Sequence, residues 1–210
     1  MSELAVRSAT GAILIAAALG AAVVGGDLFA FLVAAIATLM FYEWTRLVRG
    51  WGAAWQVSGF VYAVVPALAL LWIRERDVHG LALLVWVFIV TWSTDIGAYF
   101  AGRRFGRRKL APTISPNKTV EGLFGGVVAA TLLGGAWAIA NQLGSALLAL
   151  APVLAIAAQG GDLFESGMKR RAGVKDSGTW LPGHGGVLDR LDGLVPVATL
   201  TALAQLLGLA

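Results

Sequence analysis

The last hydrophilic stretch of the chain, residues 160–192, contains the side chains best suited to chemistry. It holds five of the twelve acidic residues and five of the sixteen basic residues, and long apolar runs lie on both sides of it. Charged groups beside membrane-spanning segments need partners, because an uncompensated charge is costly there. This density of mixed charge therefore indicates a functional site rather than ordinary membrane-spanning sequence.

Three polar residues around the end of the apolar run 145–165 are spaced to share one helical face. Asp162, Ser166 and Lys169 stand at i, i+4 and i+7, which places a carboxylate, a hydroxyl and an ammonium on one side of a helix. One interpretation is a helix end whose charges are simply solvated. We favour a binding role, because Asp162 follows apolar and small residues and would need a basic group or a metal at the membrane boundary.

A second acidic pair follows in the segment 188–192. Asp189 and Asp192 are one helical turn apart, and Arg190 between them points elsewhere. Like charges this close repel unless a cation lies between them, and a hard divalent ion such as Mg²⁺ prefers carboxylate and phosphate oxygens. The alternative is an acidic helix N-terminus that complements the helix dipole. The pair by itself favours neither interpretation.

A glycine-rich turn at residues 182–186 precedes this pair. Glycines before a helix start expose backbone N–H groups, which is a common way of binding phosphate. His184 in this turn is a candidate contact to a phosphate or a base, although a single loop histidine is more often a structural hydrogen-bonding residue. The turn is weak support for phosphate binding.

An earlier charged segment, residues 102–118, contains six basic residues. Attraction to anionic lipid headgroups, about 1 kcal/mol per charge near the surface, explains most of this cluster. Ser115 and Lys118 are less generic, because they place a hydroxyl and a cation near a helix start suited to phosphate. Asp95 lies within the apolar run 80–101, where it either faces a polar cavity or hydrogen-bonds between helices.

The elements that must position these residues are apolar helices. Hydrophobic residues make up 58% of the chain and charged residues 13%, against about 25% charged in an average soluble domain, and the mean hydropathy is +0.78. The absence of cysteine excludes disulfides and thiolate metal sites. We predict an all-α fold, a single integral-membrane domain over residues 1–210 that forms a polytopic transmembrane bundle of about seven spans. The apolar runs are 9–24, 28–45, 54–73, 80–101, 119–140, 145–165 and 189–209.

The basic residues predict the orientation of the bundle. With the N-terminus in the cytoplasm, fourteen of the sixteen lysines and arginines fall in cytoplasmic segments, and only Arg74 and Arg76 face outward. This asymmetry is the positive-inside pattern. It predicts a multi-pass protein of the inner (cytoplasmic) membrane, with both charged segments and the active site on the cytoplasmic side.

The motif at 166–192 reads S-x-Φ-K-R-x4-K-D-x-G-x2-Φ-P-x-H-G-G-Φ-x-D-R-Φ-D, where Φ is apolar. In this motif the chain resembles the phosphatidate cytidylyltransferase (CDP-diacylglycerol synthase) family. Three shorter motifs of that family also match, namely G-D-L-x-E-S at 161–166, S-P-x-K-T-x-E-G at 115–122 and D-x-x-A-Y-x-x-G at 95–102. The resemblance therefore identifies residues 94–210 as the catalytic half and residues 1–93 as N-terminal spans, in which only the segment 42–44 resembles a family element.

The resemblance implies that the protein condenses CTP with phosphatidate, giving CDP-diacylglycerol and pyrophosphate in phospholipid biosynthesis. It implies Mg²⁺ as the cofactor and potassium as a second ion, and it is compatible with a homodimer. The partners would be CTP and phosphatidate in the bilayer, with no nucleic acid. The attacking phosphate oxygen is already anionic, so the site must mainly position the reactants and neutralise their charge.

The same resemblance implies the roles of individual residues. Asp162 and Asp189 would be the main metal ligands with Asp192 assisting, and these three with Lys169 form the catalytic set. The substrate-binding set would consist of Ser115, Lys118, Ser166, Arg170, Lys175, His184, Gly185, Gly186 and Arg190.

Three other functions compete with this interpretation. An ion-coupled transporter would explain Asp95 and Asp162, but it predicts polar residues distributed through both halves of the chain. An enzyme that transfers phosphatidyl groups from CDP-lipids would require the pattern D-x2-D-G-x2-A-R…G-x3-D-x3-D, which is missing. A structural membrane scaffold leaves the charges of 160–192 unexplained.

Overall fold

The computed structural model describes residues 3–76, 78–181 and 185–209, which form a helical bundle with one short hairpin. The elements in chain order are α1 (Glu3–Val24), α2 (Gly26–Leu47), α3 (Ala53–Arg74), α4 (Gly80–Phe105), β1 (Lys109–Ala111), β2 (Ser115–Thr119), α5 (Val120–Ala140), α6 (Ala146–Arg171), α7 (Leu188–Leu191) and α8 (Leu194–Leu206). The predicted helical architecture is confirmed.

Five of the described helices, α2 to α6, are long and apolar enough to cross a membrane. They coincide with five of the predicted apolar runs, and α6 continues past the predicted end to Arg171. The other two runs give shorter apolar helices, Ala9–Val24 within α1 and Leu194–Leu206. The last run is divided into two helices, because α7 ends at Leu191 and α8 begins at Leu194. The protein is therefore a multi-pass membrane protein, with five helices of full spanning length in the described residues.

Large apolar side chains cover the outside of the bundle. Phe31 is 75% exposed, Leu132 is 66% exposed and Ile139 is 68% exposed. Apolar surface of this extent is unusual on a soluble monomer and indicates contact with a membrane. The outer faces of these helices thus agree with the composition of the chain.

Helix α4 lies at the centre of the bundle and packs against α1, α3, α5, α6 and α8. Trp86 of α4 is fully buried, and its indole N–H donates to the carbonyl of Gly134 at 3.0 Å. Gly125 lets α5 lie directly against α4, because a Cβ at this position would overlap the side chain of Ala101. Such close approach of two helices at small residues is typical of membrane bundles.

The charged segments meet at one end of the bundle. Arg170 at the end of α6 donates to the carbonyl of Ile114 in the hairpin, and the guanidinium of Arg171 lies 4.2 Å from the ring centroid of Trp51 in the α2–α3 connection. At the opposite end, Arg74 at the end of α3 donates to carbonyls at the end of α1. The two charged loops therefore lie at the same end, as predicted.

The antiparallel hairpin of β1 and β2 departs from the all-α prediction. Ala111 pairs with Ser115 across it. Thr119 ends β2, and its hydroxyl accepts the N–H of Gly122 at 3.0 Å, which caps α5. The hairpin that places Lys118 against the bundle was not predicted.

Candidate functional site

A polar pocket of about 770 Å³ opens at the charged end of the bundle. Its volume is within the range of roughly 300–1,000 Å³ that is typical of small-ligand sites. Helices α4, α6 and α7, strand β2 and the first turn of α5 all contribute to it. The charged and amide side chains among its described lining residues are Asp95, Arg103, Asn117, Lys118, Gln159, Asp162, Lys169, Asp176, Asp189, Arg190 and Asp192.

Helix α6 supplies one row of polar side chains to this pocket. Gln159, Asp162 and Lys169 line it, because the helical repeat places all three on one face. Ser166 belongs to the same face and donates its hydroxyl to Oδ1 of Asp162 at 3.2 Å. The predicted polar face is therefore confirmed, with Ser166 holding Asp162 from behind.

Strand β2 brings Lys118 to the row on α6. The ammonium of Lys118 lies 2.7 Å from Oδ2 of Asp162 and donates to Oε1 of Gln159 at 2.7 Å. The amide nitrogen of Gln159 in turn donates to Oδ1 of Asp95 on α4 at 3.4 Å. These contacts join the hairpin, α4 and α6 into one hydrogen-bonded network.

Asp189 is buried, and both of its carboxylate oxygens have protein donors. Oδ1 accepts from the ammonium of Lys169 at 2.6 Å, while Oδ2 accepts the backbone N–H of Ser177 at 2.9 Å and of Gly186 at 2.8 Å. Burial alone would raise the pKa of Asp189, but Lys169 and the N–H of Gly186 outweigh it and hold that pKa below its ordinary value. Asp189 thus fixes both Lys169 and the loop before α7.

Asp192 lies at the break between α7 and α8. Its Oδ1 accepts the N–H of Gly193 at 2.8 Å. Gly161 of α6 faces this turn, and a Cβ at that position would overlap the carbonyl of Asp192. The missing side chain lets α6 approach, so Asp162 and Asp192 line the same pocket. Burial and then the Asp162 carboxylate raise the pKa of Asp192 to about 7.

Glu165 is a buried acid that the site predicted from the sequence omitted. It is 1% exposed, and its Oε2 lies 3.1 Å from the ammonium of Lys169, which therefore contacts two carboxylates. Its Oε1 has no hydrogen-bond partner among the described residues. The i, i+4 spacing from Glu165 to Lys169 is the signal that could have identified it. Gln159 was also omitted, and Asp95, which had two open interpretations, proves to line the pocket.

Three of the predicted substrate-binding residues take different positions relative to the pocket. Arg190 lines it, beside the two acids of the 188–192 segment. Arg170 instead donates to the backbone carbonyls of Ile114 and Val174. Ser115 lies in the hairpin at the start of β2. In this arrangement Arg170 stabilises the loops around the site, and the substrate contacts of Arg170 and Ser115 stay predictions.

Lys175 lines a neighbouring pocket of about 610 Å³. Arg46, Arg49 and Arg171 line the same pocket, which lies between the α2–α3 connection and the connection from α6 to α7, residues 172–187, here called the signature loop. The structure therefore separates Lys175 from Asp162, although both belong to the motif-bearing stretch. A contact of Lys175 with the same substrate group as Asp162 stays a prediction.

The glycine-rich turn makes contacts within the protein. Gly185 has φ +83° and pairs with Leu181 in an isolated bridge. The N–H of Gly186 donates to Asp189 and is therefore not a free donor for phosphate in this arrangement. His184 lies outside the described residues. The nucleotide contacts predicted for this turn stay predictions.

The oxygen ligands of the pocket fit a hard divalent cation. Within residues 3–76, 78–181 and 185–209, no group of three or more His, Cys, Asp or Glu side chains is arranged to hold a metal by itself. Mg²⁺ does not require one, because it is usually bound by one or two carboxylates together with water and substrate phosphates. Asp162, whose side chain is 31% exposed, and Asp192 suit this role, whereas the Asp189 side chain is 3% exposed and accepts from three nitrogen donors.

Comparison with known proteins identifies related sequences. A family model described as the cytidylyltransferase family matches residues 49–207. A phosphatidate cytidylyltransferase from Brucella suis biovar 1 (strain 1330) is 48% identical over 176 residues, which cover 82% of this chain and 63% of the relative. Relatives of the same name from Bacillus subtilis (strain 168) and Staphylococcus epidermidis (strain ATCC 12228 / FDA PCI 1200) are 50% identical over 123 residues and 44% identical over 136 residues.

The Bacillus match covers 57% of this chain and 46% of the relative, and the Staphylococcus match covers 63% and 52%. The chain therefore spans less than two thirds of the length of the curated relatives it matches. The family model nevertheless covers helices α3 to α8, the hairpin and all of the described residues that line the polar pocket. The resemblance predicted from the motifs is confirmed, and this chain belongs to the cytidylyltransferase family.

Proposed function

We propose that the protein transfers the cytidylyl group of CTP to phosphatidate, giving CDP-diacylglycerol and pyrophosphate in phospholipid biosynthesis. The observation that carries this proposal is the convergence of basic groups from β2, α6 and α7 with carboxylates from α4, α6 and α7 in one pocket. Such a pocket suits a polyphosphate with its cation, and its place at the end of a membrane bundle suits a lipid headgroup. The names of the relatives support the same reaction.

This reaction needs no side chain to remove a proton from the attacking group. A phosphate oxygen of phosphatidate, already anionic at neutral pH, attacks the α-phosphorus of CTP. The bond from that phosphorus to the bridging oxygen of the β-phosphate breaks, and pyrophosphate leaves with the electron pair. The main obstacle is the approach of two polyanions, so positioning and charge neutralisation supply most of the catalysis.

The basic side chains of the pocket are held in place before substrate binds. Lys169 contacts Asp189 at 2.6 Å and Glu165 at 3.1 Å, and Lys118 contacts Asp162 at 2.7 Å. Groups that are already oriented require little reorganisation when charge develops on the phosphates. We assign Lys118, Lys169 and Arg190 to the phosphates of the two substrates.

Asp162 and Asp192 would hold Mg²⁺, with Asp189 beside them. When bound, the ion would neutralise charge on the phosphates and polarise them toward substitution. The role of these residues is to supply carboxylate oxygens beside the nitrogen donors of Lys118, Lys169 and Arg190. Exchange of K⁺ for Na⁺ in the assay tests the second ion that the resemblance implies.

We propose seven membrane crossings, with α1 and α8 added to the five long helices, and the charged end and the N-terminus in the cytoplasm of the inner membrane. The chain has no cysteine, so single cysteines report on topology directly. Glu75→Cys, on the connection after α3, should react with a membrane-impermeant thiol reagent on intact cells. Thr113→Cys, in the hairpin turn, should react only after permeabilisation. The opposite labelling would contradict this orientation. The mass of the protein purified in detergent tests whether it forms a homodimer.

The activity itself is tested with purified protein, labelled CTP and phosphatidate in detergent. We expect Mg²⁺-dependent formation of CDP-diacylglycerol and pyrophosphate in equal amounts. Asp162→Asn should lower kcat/KM by about 100-fold or more. Asp27 is an exposed carboxylate at the start of α2, and Asp27→Asn should leave kcat/KM unchanged. If the folded wild-type protein forms no product, as expected of a transporter, the proposal is contradicted.

A further inference from the structure

Glu43, near the end of α2, is a buried carboxylate that contacts the signature loop. It is 1% exposed. Its Oε1 accepts the N–H of Val187 at 3.0 Å, and its Oε2 accepts the N–H of Leu188 at 2.8 Å and the hydroxyl of Ser177 at 3.0 Å. A buried carboxylate is tolerated only when donors compensate its lost hydration, and all three of these donors come from the signature loop and the first residue of α7.

Two glycines of the loop make room for this carboxylate. A Cβ at Gly178 would overlap Oε1 of Glu43, and a Cβ at Gly186 would overlap the hydroxyl of Ser177 and approach Oε2 of Glu43 to 2.6 Å. The neighbouring Leu188 is fully buried in an apolar cluster with residues of α2 and α6. The loop is therefore shaped around a side chain that belongs to the N-terminal half of the chain.

The loop that Glu43 holds also holds Asp189. Ser177 donates its hydroxyl to Glu43 and its backbone N–H to Asp189. Gly186 donates to Asp189, and the next two residues donate to Glu43. Glu43 and Asp189 therefore accept hydrogen bonds from the same segment, and Asp189 also sets the position of Lys169. Glu43 lies before the segment 49–207 that matches the family model.

We propose that Glu43 is a positioning residue, which fixes the loop so that Asp189 and Lys169 have the geometry needed for substrate phosphates. This inference rests on the proposed function for its catalytic consequence. Its structural consequence, an ordered backbone at residue 177 and at residues 185–189, does not depend on the reaction. The N-terminal helices thus contribute to the site through Glu43 and not only by anchoring the protein in the membrane.

The test compares wild-type protein with Glu43→Gln and Glu43→Ala, and Asp27→Asn on the same helix serves as the control. Hydrogen exchange is measured by mass spectrometry on peptides covering 186–189, in detergent and without substrate. Because the glutamine offers one acceptor oxygen in place of two, exchange there should become about tenfold faster, and faster still in Glu43→Ala. Asp27→Asn should exchange as the wild type does.

Kinetics distinguish positioning from a general loss of stability. A variant that merely unfolds in part would lose Vmax in proportion to the unfolded fraction and keep the wild-type KM for CTP. We expect Glu43→Gln to raise the KM for CTP about fivefold or more and to lower kcat per folded molecule about tenfold, in the range expected for a hydrogen bond to a charged group. Glu43→Ala should be worse than Glu43→Gln in both respects.

Ser177→Ala keeps the proposal testable if both Glu43 variants fail to fold, since it removes one donor to Glu43 from a partly exposed loop. It should produce the same changes at smaller amplitude. Combined with Glu43→Gln it should add less than its separate effect, because the two residues share one contact. Wild-type exchange at 186–189 in folded Glu43→Gln or Ser177→Ala overturns the proposal, whatever the activity. Faster exchange in an enzyme without cytidylyltransferase activity overturns only the proposed function.

Discussion

The ammonium of Lys118 lies 2.7 Å from Oδ2 of Asp162, and this ion pair ties strand β2 to helix α6. The side chains are 15% and 31% exposed, so the pair lies at the wall of the pocket, partly shielded from solvent. Each residue comes from a different charged segment of the chain. The pocket between the two segments therefore depends on the docking of the hairpin against α6.

Replacement of Lys118 tests whether this contact serves the substrate. We expect Lys118→Gln to lower kcat/KM for CTP about 100-fold, because it removes a fixed positive charge from the pocket. The free energy of unfolding should change by less than about 1 kcal/mol, as for other partly exposed pairs. Lys109→Gln on the exposed face of β1 is the matched control and should stay within about twofold of wild type. Equal losses in the two variants would indicate a general effect of surface charge.

Asp189→Asn should destabilise the protein at neutral pH. The variant removes the charge that compensates buried Lys169, and breaking a buried pair costs about 3 kcal/mol. Because the folded-state pKa of Asp189 is lowered, its stabilisation is complete above the unfolded pKa of about 3.9 and is lost as pH falls through the lowered value. Denaturant unfolding in detergent should show the two proteins converging in acid. A constant difference at all pH values contradicts this.

Adjacent glycines of α6 provide a matched pair. A Cβ at Gly161 would overlap the carbonyl of Asp192 and contact Pro196, whereas a Cβ at Gly160 would meet nothing within 4 Å. Gly161→Ala should therefore cost about 1–3 kcal/mol and lower kcat, because it pushes α6 away from the turn at Asp192. Gly160→Ala should be neutral or stabilising by about 0.5–1 kcal/mol. Thermal unfolding and turnover measure both, and identical behaviour of the pair would refute the close approach.

Removal of divalent cations tests the metal assignment. Chelation should abolish turnover, and Mg²⁺ should restore it. Asp162→Asn and Asp192→Asn should raise the Mg²⁺ concentration for half-maximal activity about tenfold or more. Asp189→Asn should mainly lower kcat, because the Asp189 side chain is 3% exposed and its oxygens accept from three nitrogen donors, whereas the Asp162 side chain is 31% exposed. If Asp189→Asn instead produced the largest shift in Mg²⁺ requirement, Asp189 would be the direct ligand.

Local sequence patterns predicted the features that depend on neighbours in the chain. Apolar runs of about 20 residues indicated helices, since that length spans a bilayer, and the i, i+4 spacing placed Ser166 behind Asp162. The hairpin was not predicted, because its short strands carry neither an apolar alternation nor a clear turn signal. The omission of Glu165 has a different cause, since its burial depends on the packing of α6 against other elements.

The sequence by itself determined the membrane class, the helical runs and, through the motif at 166–192, the family to which the chain belongs. Only the tertiary structure decided that Lys118 meets Asp162, that Asp189 binds backbone N–H groups with one oxygen, and that Glu43 supports the signature loop. These contacts join residues far apart in the chain. They depend on how α2, α6 and the hairpin pack together, and no local spacing of residue types records that arrangement.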